Sequence, residues 1–252
     1  MTSEHPDSIL GHRPFVLFWF ARVATTTAYQ MLVVAIGWQL YELTGNPLDL
    51  GLVGLAQFIP AILLVLLIGQ MTDRYDRRVI LSTCQAVEAV MAAVLLMAAV
   101  SGAISRELIL AVAFAMGGAR AFELTAMQTM VPSLVPLPLV PRAVAGSATA
   151  NQSATIVGPA LGGFIYAVSP LAVYSLCCAL FVLAGVLVSF VRIERAAAPR
   201  EPFTLATFFA GFGFIRRSPI ILGAISLDLF AVLLGGVTAL LPIYARDILH
   251  AG

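Results

Sequence analysis

Seven runs of twenty or more predominantly apolar residues divide this chain, and each is long enough to cross the ~30 Å hydrocarbon core of a bilayer as a helix. They are Phe15 to Tyr41, Leu50 to Gln70, Val79 to Val100, Leu108 to Val131, Ala143 to Val168, Leu171 to Val191 and Ile220 to Tyr244. The 252 residues are 60% hydrophobic and 11% charged, against roughly 25% charged in soluble domains. That balance excludes a soluble enzyme domain. The formal net charge is +1, so no basic or acidic field points to nucleic acid, and a disordered chain would be far less apolar. The solvent the sequence is written for is the lipid bilayer.

The chain contains no lysine, which removes Schiff-base and P-loop chemistry. The three histidines, His5, His12 and His250, lie at the chain ends, so a helix-borne zinc motif or an intramembrane histidine base has no residues to use. No cofactor and no metal are expected, and no enzyme motif appears. Cys84, Cys177 and Cys178 sit inside apolar runs, two of them adjacent, as buried thiols rather than a structural bridge. The first 14 residues lack a basic n-region, so no cleaved signal is expected.

The breaks between runs carry turn chemistry: TGNP at 44–47, DRYDRR at 73–78, SGAISRE at 101–107, VPLPLVPR at 135–142 and Ser169-Pro170. Connections this short predict that successive helices pack as antiparallel neighbours. With the N-terminus in the cytoplasm, the inner segments hold ten arginines (13, 74, 77, 78, 142, 192, 195, 200, 216, 217) and the outer segments two, Arg106 and Arg246. The positive-inside rule therefore predicts a cytoplasmic N-terminus. The domain reading is a tail over 1–14, six helices over 15–191, a cytoplasmic linker over 192–218 and a seventh span over 219–252. Within the linker, Phe203, Leu205, Phe208, Phe209, Phe212 and Ile215 recur at helical spacing. They read as an interfacial amphipathic helix, with a simple extension of the seventh span as the alternative.

Five ionisable residues lie inside the runs: Arg22, Glu88, Arg120, Glu123 and Asp228. A charge at the helix centre costs roughly 2.5–3.5 kcal/mol on the insertion scale, so such residues face one another or a water-filled pathway. Arg120 and Glu123 are three residues apart, close enough to neutralise each other, which would serve assembly instead of transport. Asp228 has no local partner and lies roughly 13 Å in from Pro219. It is either a proton-titrated group or a permanent partner of Arg22 or Arg120. Glu88, one turn after Gln85, has a packing role and a pathway role open to it. Gly158, Pro159, Gly162 and Gly163 mark a closely packed, bendable fifth helix, a pattern that helix packing alone also explains.

The stretch Gly69 to Arg78, GQMTDRYDRR, resembles the G-x-x-x-D-R-x-G-R-R signature between helices two and three of the major facilitator superfamily, with Asp76 where that signature has glycine. Gly69 is expected to let helix ends approach, Asp73 to cap a helix, and Arg74, Arg77 and Arg78 to hold the loop at an anionic leaflet. YELTGNPLDLGLVGLAQFIPAILL, ARAFELTAMQTMVPSLVP, NQSATIVGPALGGFIY and LLPIYARDILHAG are similar to the branch holding the enterobactin exporter and macrolide-efflux-like permeases. The resemblance implies an all-α, multi-pass protein of the bacterial plasma (inner) membrane, built from inverted three-helix repeats. It also implies proton-coupled antiport of a small amphipathic molecule, such as a siderophore or drug, through a cavity lined by helices 1, 4, 7 and 10. Arg22, Arg120 and Asp228 fall on helices 1, 4 and 7. The superfamily has twelve helices, so the chain is expected to be a truncated bundle of about seven whose partner is the missing C-terminal half, helices 8 to 12. A half-transporter with no activity of its own is the alternative. A seven-helix receptor is a distant third, since lysine is absent and the N-terminus is assigned inside.

Overall fold

The computed structural model describes residues 8–191, together with 218, 222, 223, 226 and 227. By its internal contacts the chain divides into two units, Met1–Ala196 and Ala197–Gly252; every helix described below belongs to the first. The linker, the interfacial helix, the seventh span as a whole and Asp228 lie outside the described residues.

Six long helices account for the first unit: α1 (Arg13–Thr44), α2 (Pro47–Arg74), α3 (Arg77–Ser101), α4 (Arg106–Met130), α5 (Val140–Val168) and α6 (Pro170–Ser189). Their ends follow from the turn residues. Gly45 and Gly102 close α1 and α3 at φ 60° and 67°, a left-handed conformation that only glycine adopts at no cost. Asn46 caps α2 by accepting from the Leu48 amide at 3.1 Å, and Ser105 caps α4 by accepting from Leu108 at 3.2 Å. Pro47 and Pro170 sit in the first turns of α2 and α6, where a missing N–H breaks nothing. Among the described residues, four helical segments are long and apolar enough to cross a membrane: Pro47–Val65, Arg77–Ser101, Arg106–Ser133 and Pro170–Ser189. α1 and α5 are as long but carry more polar residues, Arg22 and three consecutive threonines on α1, Asn151, Gln152 and Ser153 on α5.

The packing order is not the chain order. α1 lies against α5 and α6, α4 against α2 and α3, and α3 against α6, while α1 meets α2 only lightly and α2 and α3 hardly touch. The expectation that successive helices pack as neighbours therefore fails at most turns. A short connection limits how far apart two helix ends sit, whereas lateral contact is set by which faces carry small residues. On α5, a Cβ at Gly158 would lie 2.6 Å from Gln30 Cβ, and one at Gly162 would lie 2.8 Å from Met31 Cα. On α4, a Cβ at Gly117 would lie 2.6 Å from Gln57 Cα. These glycines draw α5 onto α1 and α4 onto α2, in the small-residue packing usual between membrane helices.

The core is layered. One apolar cluster gathers Phe15, Phe18, Leu81, Met127, Met130 and Val188, and a second gathers Met31, Leu32, Ile36, Leu95, Met116 and Phe181. Between them on α1, α3 and α4 lies a stratum of buried polar side chains: Arg22, Thr25, Thr26, Gln85, Glu88 and Glu123.

Candidate functional site

The polar stratum is assembled by helix periodicity. On α1, Arg22, Thr25, Thr26 and Tyr29 recur every three or four residues and share a face. On α3, Gln85 and Glu88 share one in the same way, as do Arg120 and Glu123 on α4. Counting about 1.5 Å per residue, Thr25 is roughly 18 Å from the start of α1, Glu88 roughly 17 Å from the start of α3, and Glu123 roughly 11 Å from the end of α4. Those three ends lie on one side of the bundle, so the stratum sits near the depth of a bilayer midplane, about 15 Å from either edge of the hydrocarbon.

Glu123 is the hub. The Arg120 guanidinium donates from Nη1 to Glu123 Oε2 at 2.5 Å, and the Thr25 hydroxyl donates to Glu123 Oε1 at 2.8 Å. The same hydroxyl is 3.3 Å from Glu88 Oε2. A threonine hydroxyl has one proton, so it serves one carboxylate at a time, and the shorter distance gives it to Glu123. Glu88 and Glu123 are both fully enclosed, and among the described residues Glu88 Oε1 has no hydrogen-bond partner, nor does either amide atom of Gln85 one turn away. Two carboxylates and one guanidinium thus meet around one shared hydroxyl, with Glu88 Oε1 left unpartnered among the described residues.

Arg120 faces outward from the cluster. Its guanidinium lies 4.6 Å over the Tyr29 ring, a cation–π contact, and the Tyr29 hydroxyl donates to Gln57 Oε1 on α2 at 3.4 Å. Arg22 is 8% exposed, its Nε has no partner, and it makes no ion pair among the described residues. Thr26 reaches Asn151 on α5 at 3.5 Å. Side chains from five of the six helices therefore meet around this level.

The sequence-derived residues divide accordingly. Arg22, Glu88, Arg120 and Glu123 share the stratum, and Arg120 and Glu123 form the i, i+3 pair that their spacing allows. Asp228 lies outside the described residues. In the 69–78 stretch two expectations are corrected. Asp73 lies in the last turn of α2, and the N-cap of α3 is Asp76, accepting from the Arg78 amide at 3.0 Å while its carboxylate pairs with the Arg78 guanidinium at 2.9 Å. The glycine of the general signature is thus replaced by a capping residue in extended backbone. Among the described residues Gly69 approaches no other element: a Cβ there would meet nothing within 4 Å. Arg77 donates to the Thr129 carbonyl at 2.8 Å and Arg78 to the Val191 carbonyl at 2.9 Å, tying the α2–α3 turn to the ends of α4 and α6, while Arg74 is exposed. On α5, Gly158 and Gly162 make the close approach to α1, Pro159 lies inside the helix, and Gly163 meets nothing.

Thr25, Tyr29 and Gln57 escaped sequence reasoning. Their signal was present: a run of three threonines in α1 and a glutamine in the middle of the uncharged body of α2. A neutral polar residue costs too little in a membrane helix to stand out as a charge does.

Over residues 6–252 the chain matches a family described as transmembrane secretion effector. Macrolide efflux protein A of Streptococcus pyogenes is 25% identical to it over 246 residues, 92% of this chain and 59% of that protein. The uncharacterized MFS-type transporter YfiS of Bacillus subtilis (strain 168) is 28% identical over 188 residues, 72% of this chain and 44% of that protein. The chain thus spans less than two thirds of the length of these relatives.

Proposed function

This chain belongs to the transmembrane secretion effector family of the major facilitator superfamily, a multi-pass membrane transporter, and we propose that it serves proton-coupled efflux of a small amphipathic molecule across the bacterial plasma membrane. The observation that carries this reading is the enclosed Thr25–Glu123–Glu88 arrangement with Arg120 at its edge. Coupling needs a group that exchanges a proton with one side of the membrane and whose charge alters a neighbouring substrate contact. Here the candidates are Glu88 and Glu123, the two enclosed carboxylates that the Thr25 hydroxyl reaches. When a proton reaches Glu123, its hold on Arg120 weakens, and the guanidinium, which already lies over the Tyr29 ring, is left to a neighbouring substrate contact. When the proton leaves, Arg120 is drawn back.

Arg22 and Asp228 belong to the same path in this reading, on the first and seventh helices, with the N-terminus in the cytoplasm. The pairing of α1 with α5 against that of α4 with α2 suits inverted three-helix repeats and a rocking-bundle cycle in the protein that carries this chain, whose second body of helices is its partner. The relatives' names suggest a macrolide as first substrate to try. The test is erythromycin accumulation in cells deprived of their own macrolide pumps and expressing the protein. Lower accumulation that a protonophore abolishes is expected. Accumulation equal to that of the empty host, with the protein present in the membrane, would refute efflux of this class.

A further inference from the structure

Two hydroxyls of α5 satisfy themselves within the helix: Thr149 and Thr155 donate back to the carbonyls of Ala145 and Asn151 at 3.0 and 2.8 Å. Ser147 does not. Its side chain is 2% exposed, and its Oγ has no partner among the described residues. Arg22, on the facing stretch of α1, is in the same condition, enclosed with Nε unpartnered. We propose that Arg22 and Ser147 together hold a small monovalent anion, a halide ion or a carboxylate, between α1 and α5.

Two contacts fix the register of the helices at this level. The Trp19 indole donates to the Gly146 carbonyl at 3.1 Å, and the Thr26 hydroxyl reaches the Asn151 carboxamide oxygen at 3.5 Å. Residue numbers rise together on the two helices, and further along Tyr166 meets Gln39 and Glu42, so α1 and α5 run in the same sense. Residues 19, 22 and 26 recur at helical spacing, which puts Arg22 on the stripe of α1 that meets α5, one turn beyond Trp19. Ser147 directly follows Gly146 and precedes Asn151 by one turn. Ala143 and Ala150 are buried beside it, so α5 turns toward Arg22 a hydroxyl set among small apolar side chains.

Charge selects the ligand. α5 holds no acidic residue, and α1 holds only Glu42, near its far end. The charges whose fields reach Arg22 are Arg120, which repels it, and Glu123, whose carboxylate is already bonded to Arg120. An enclosed guanidinium without a counter-charge is costly. Arg22 has only donors to offer and the Ser147 hydroxyl has a proton to give, so the pair suits an acceptor and repels a cation. A single uncompensated charge calls for a monovalent anion, and the close-packed helices call for a small one. The site extends the efflux reading, which puts Arg22 on the solute path, but it is tested by binding alone, so its failure leaves that reading to be judged by accumulation.

Trp19 and Trp38 are the two tryptophans of the chain, and Trp19 stands one turn from Arg22. The purified whole chain in detergent is titrated with sodium iodide, a quencher of indole fluorescence, against sodium gluconate at constant ionic strength. A saturable loss of fluorescence above the linear collisional background is expected, and it should persist in Trp38→Phe. Chloride should reverse it. Reversal by sodium acetate as well would show that a carboxylate also fits, and reversal by chloride alone would assign the site to a free halide; either result upholds the anion site. Arg22→Gln should raise the half-saturating iodide concentration by about tenfold or more, the worth of a hydrogen bond to a charged group, and Ser147→Ala should raise it by less. Purely linear quenching in the unsubstituted chain would overturn the assignment without any variant having to fold. So would unchanged saturation in Arg22→Gln, or saturation that appears only in Asp228→Asn, which would give Arg22 to that carboxylate instead.

Discussion

Two adjacent glycines on α4 should respond to alanine with opposite signs. In a helix interior, glycine to alanine is worth up to about 1 kcal/mol of stabilisation if the new methyl meets open space. At Gly117 it does not: the Cβ would sit 2.6 Å from Gln57 Cα and 2.7 Å from Gln57 C, backbone atoms that move only if α2 moves. The Gln57 carbonyl oxygen is nearer still, so restoring ordinary contacts of about 3.4 Å or more requires α2 to retreat by about an ångström or more at its crossing with α4. Forced overpacking of this kind typically costs 1–3 kcal/mol, so after the propensity gain Gly117→Ala should be destabilising by about 0–2 kcal/mol. At Gly118 the nearest atoms are at 3.5 and 3.6 Å, and the substitution should be neutral or stabilising by up to about 1 kcal/mol. The assay is thermal unfolding of the purified chain in one detergent, followed by the loss of helical circular dichroism. A lower midpoint for Gly117→Ala and an unchanged or higher one for Gly118→Ala is the expected pattern. Equal shifts at the two positions, or the reverse order, would refute the crossing that draws α4 onto α2.

Within the polar stratum, Thr25→Val removes the hydroxyl shared by the two carboxylates without changing side-chain size, and hydrogen bonds to charged groups are worth about 1.5–3 kcal/mol. Thr25→Ser should restore most of the lost stability in the same unfolding assay. Glu123→Gln leaves Arg120 without its buried partner and should cost about 3–5 kcal/mol, whereas the double replacement Arg120→Met with Glu123→Leu should recover much of that loss. At the far end of α4, Arg106 pairs with Asp49 on α2 at 2.6 Å with the arginine side chain 42% exposed, so Arg106→Gln should shift stability by no more than about 1 kcal/mol. Gly162→Leu should separate α5 from Met31 on α1, read as a gain in proteolysis at the connections of α5.

The long helices and their ends were legible in the sequence because apolar runs and capping residues are local signals. Gly45, Asn46, Gly102 and Ser105 stop and start helices wherever the rest of the chain goes. The Arg120–Glu123 pair was legible for the same reason, since three residues of helix bring two side chains together. The order of packing was not. A helix apolar on nearly every side carries little record of which side meets a partner, so nothing in the α2 run distinguishes the strip that meets Gly117 from the strip that faces away from α4. Glu88 and Glu123 share Thr25 because three helices converge, a relation spread over 98 residues of sequence. The aspartate in the glycine position of the 69–78 stretch illustrates a middle case. Its departure from the signature was visible, but its use as the cap of α3 needed the backbone to be seen.

The most direct test of the proton site separates energy coupling from substrate movement. In inverted vesicles containing the full-length protein, a pH gradient should drive erythromycin accumulation, and preloaded vesicles without a gradient should exchange labelled for unlabelled erythromycin. Glu88→Gln keeps the shape of the cluster and removes its capacity to exchange a proton. Accumulation lost and exchange retained is the outcome the shared-hydroxyl arrangement requires, with Asp228→Asn run beside it to divide the role between the two carboxylates. Full gradient-driven accumulation by Glu88→Gln would contradict the account.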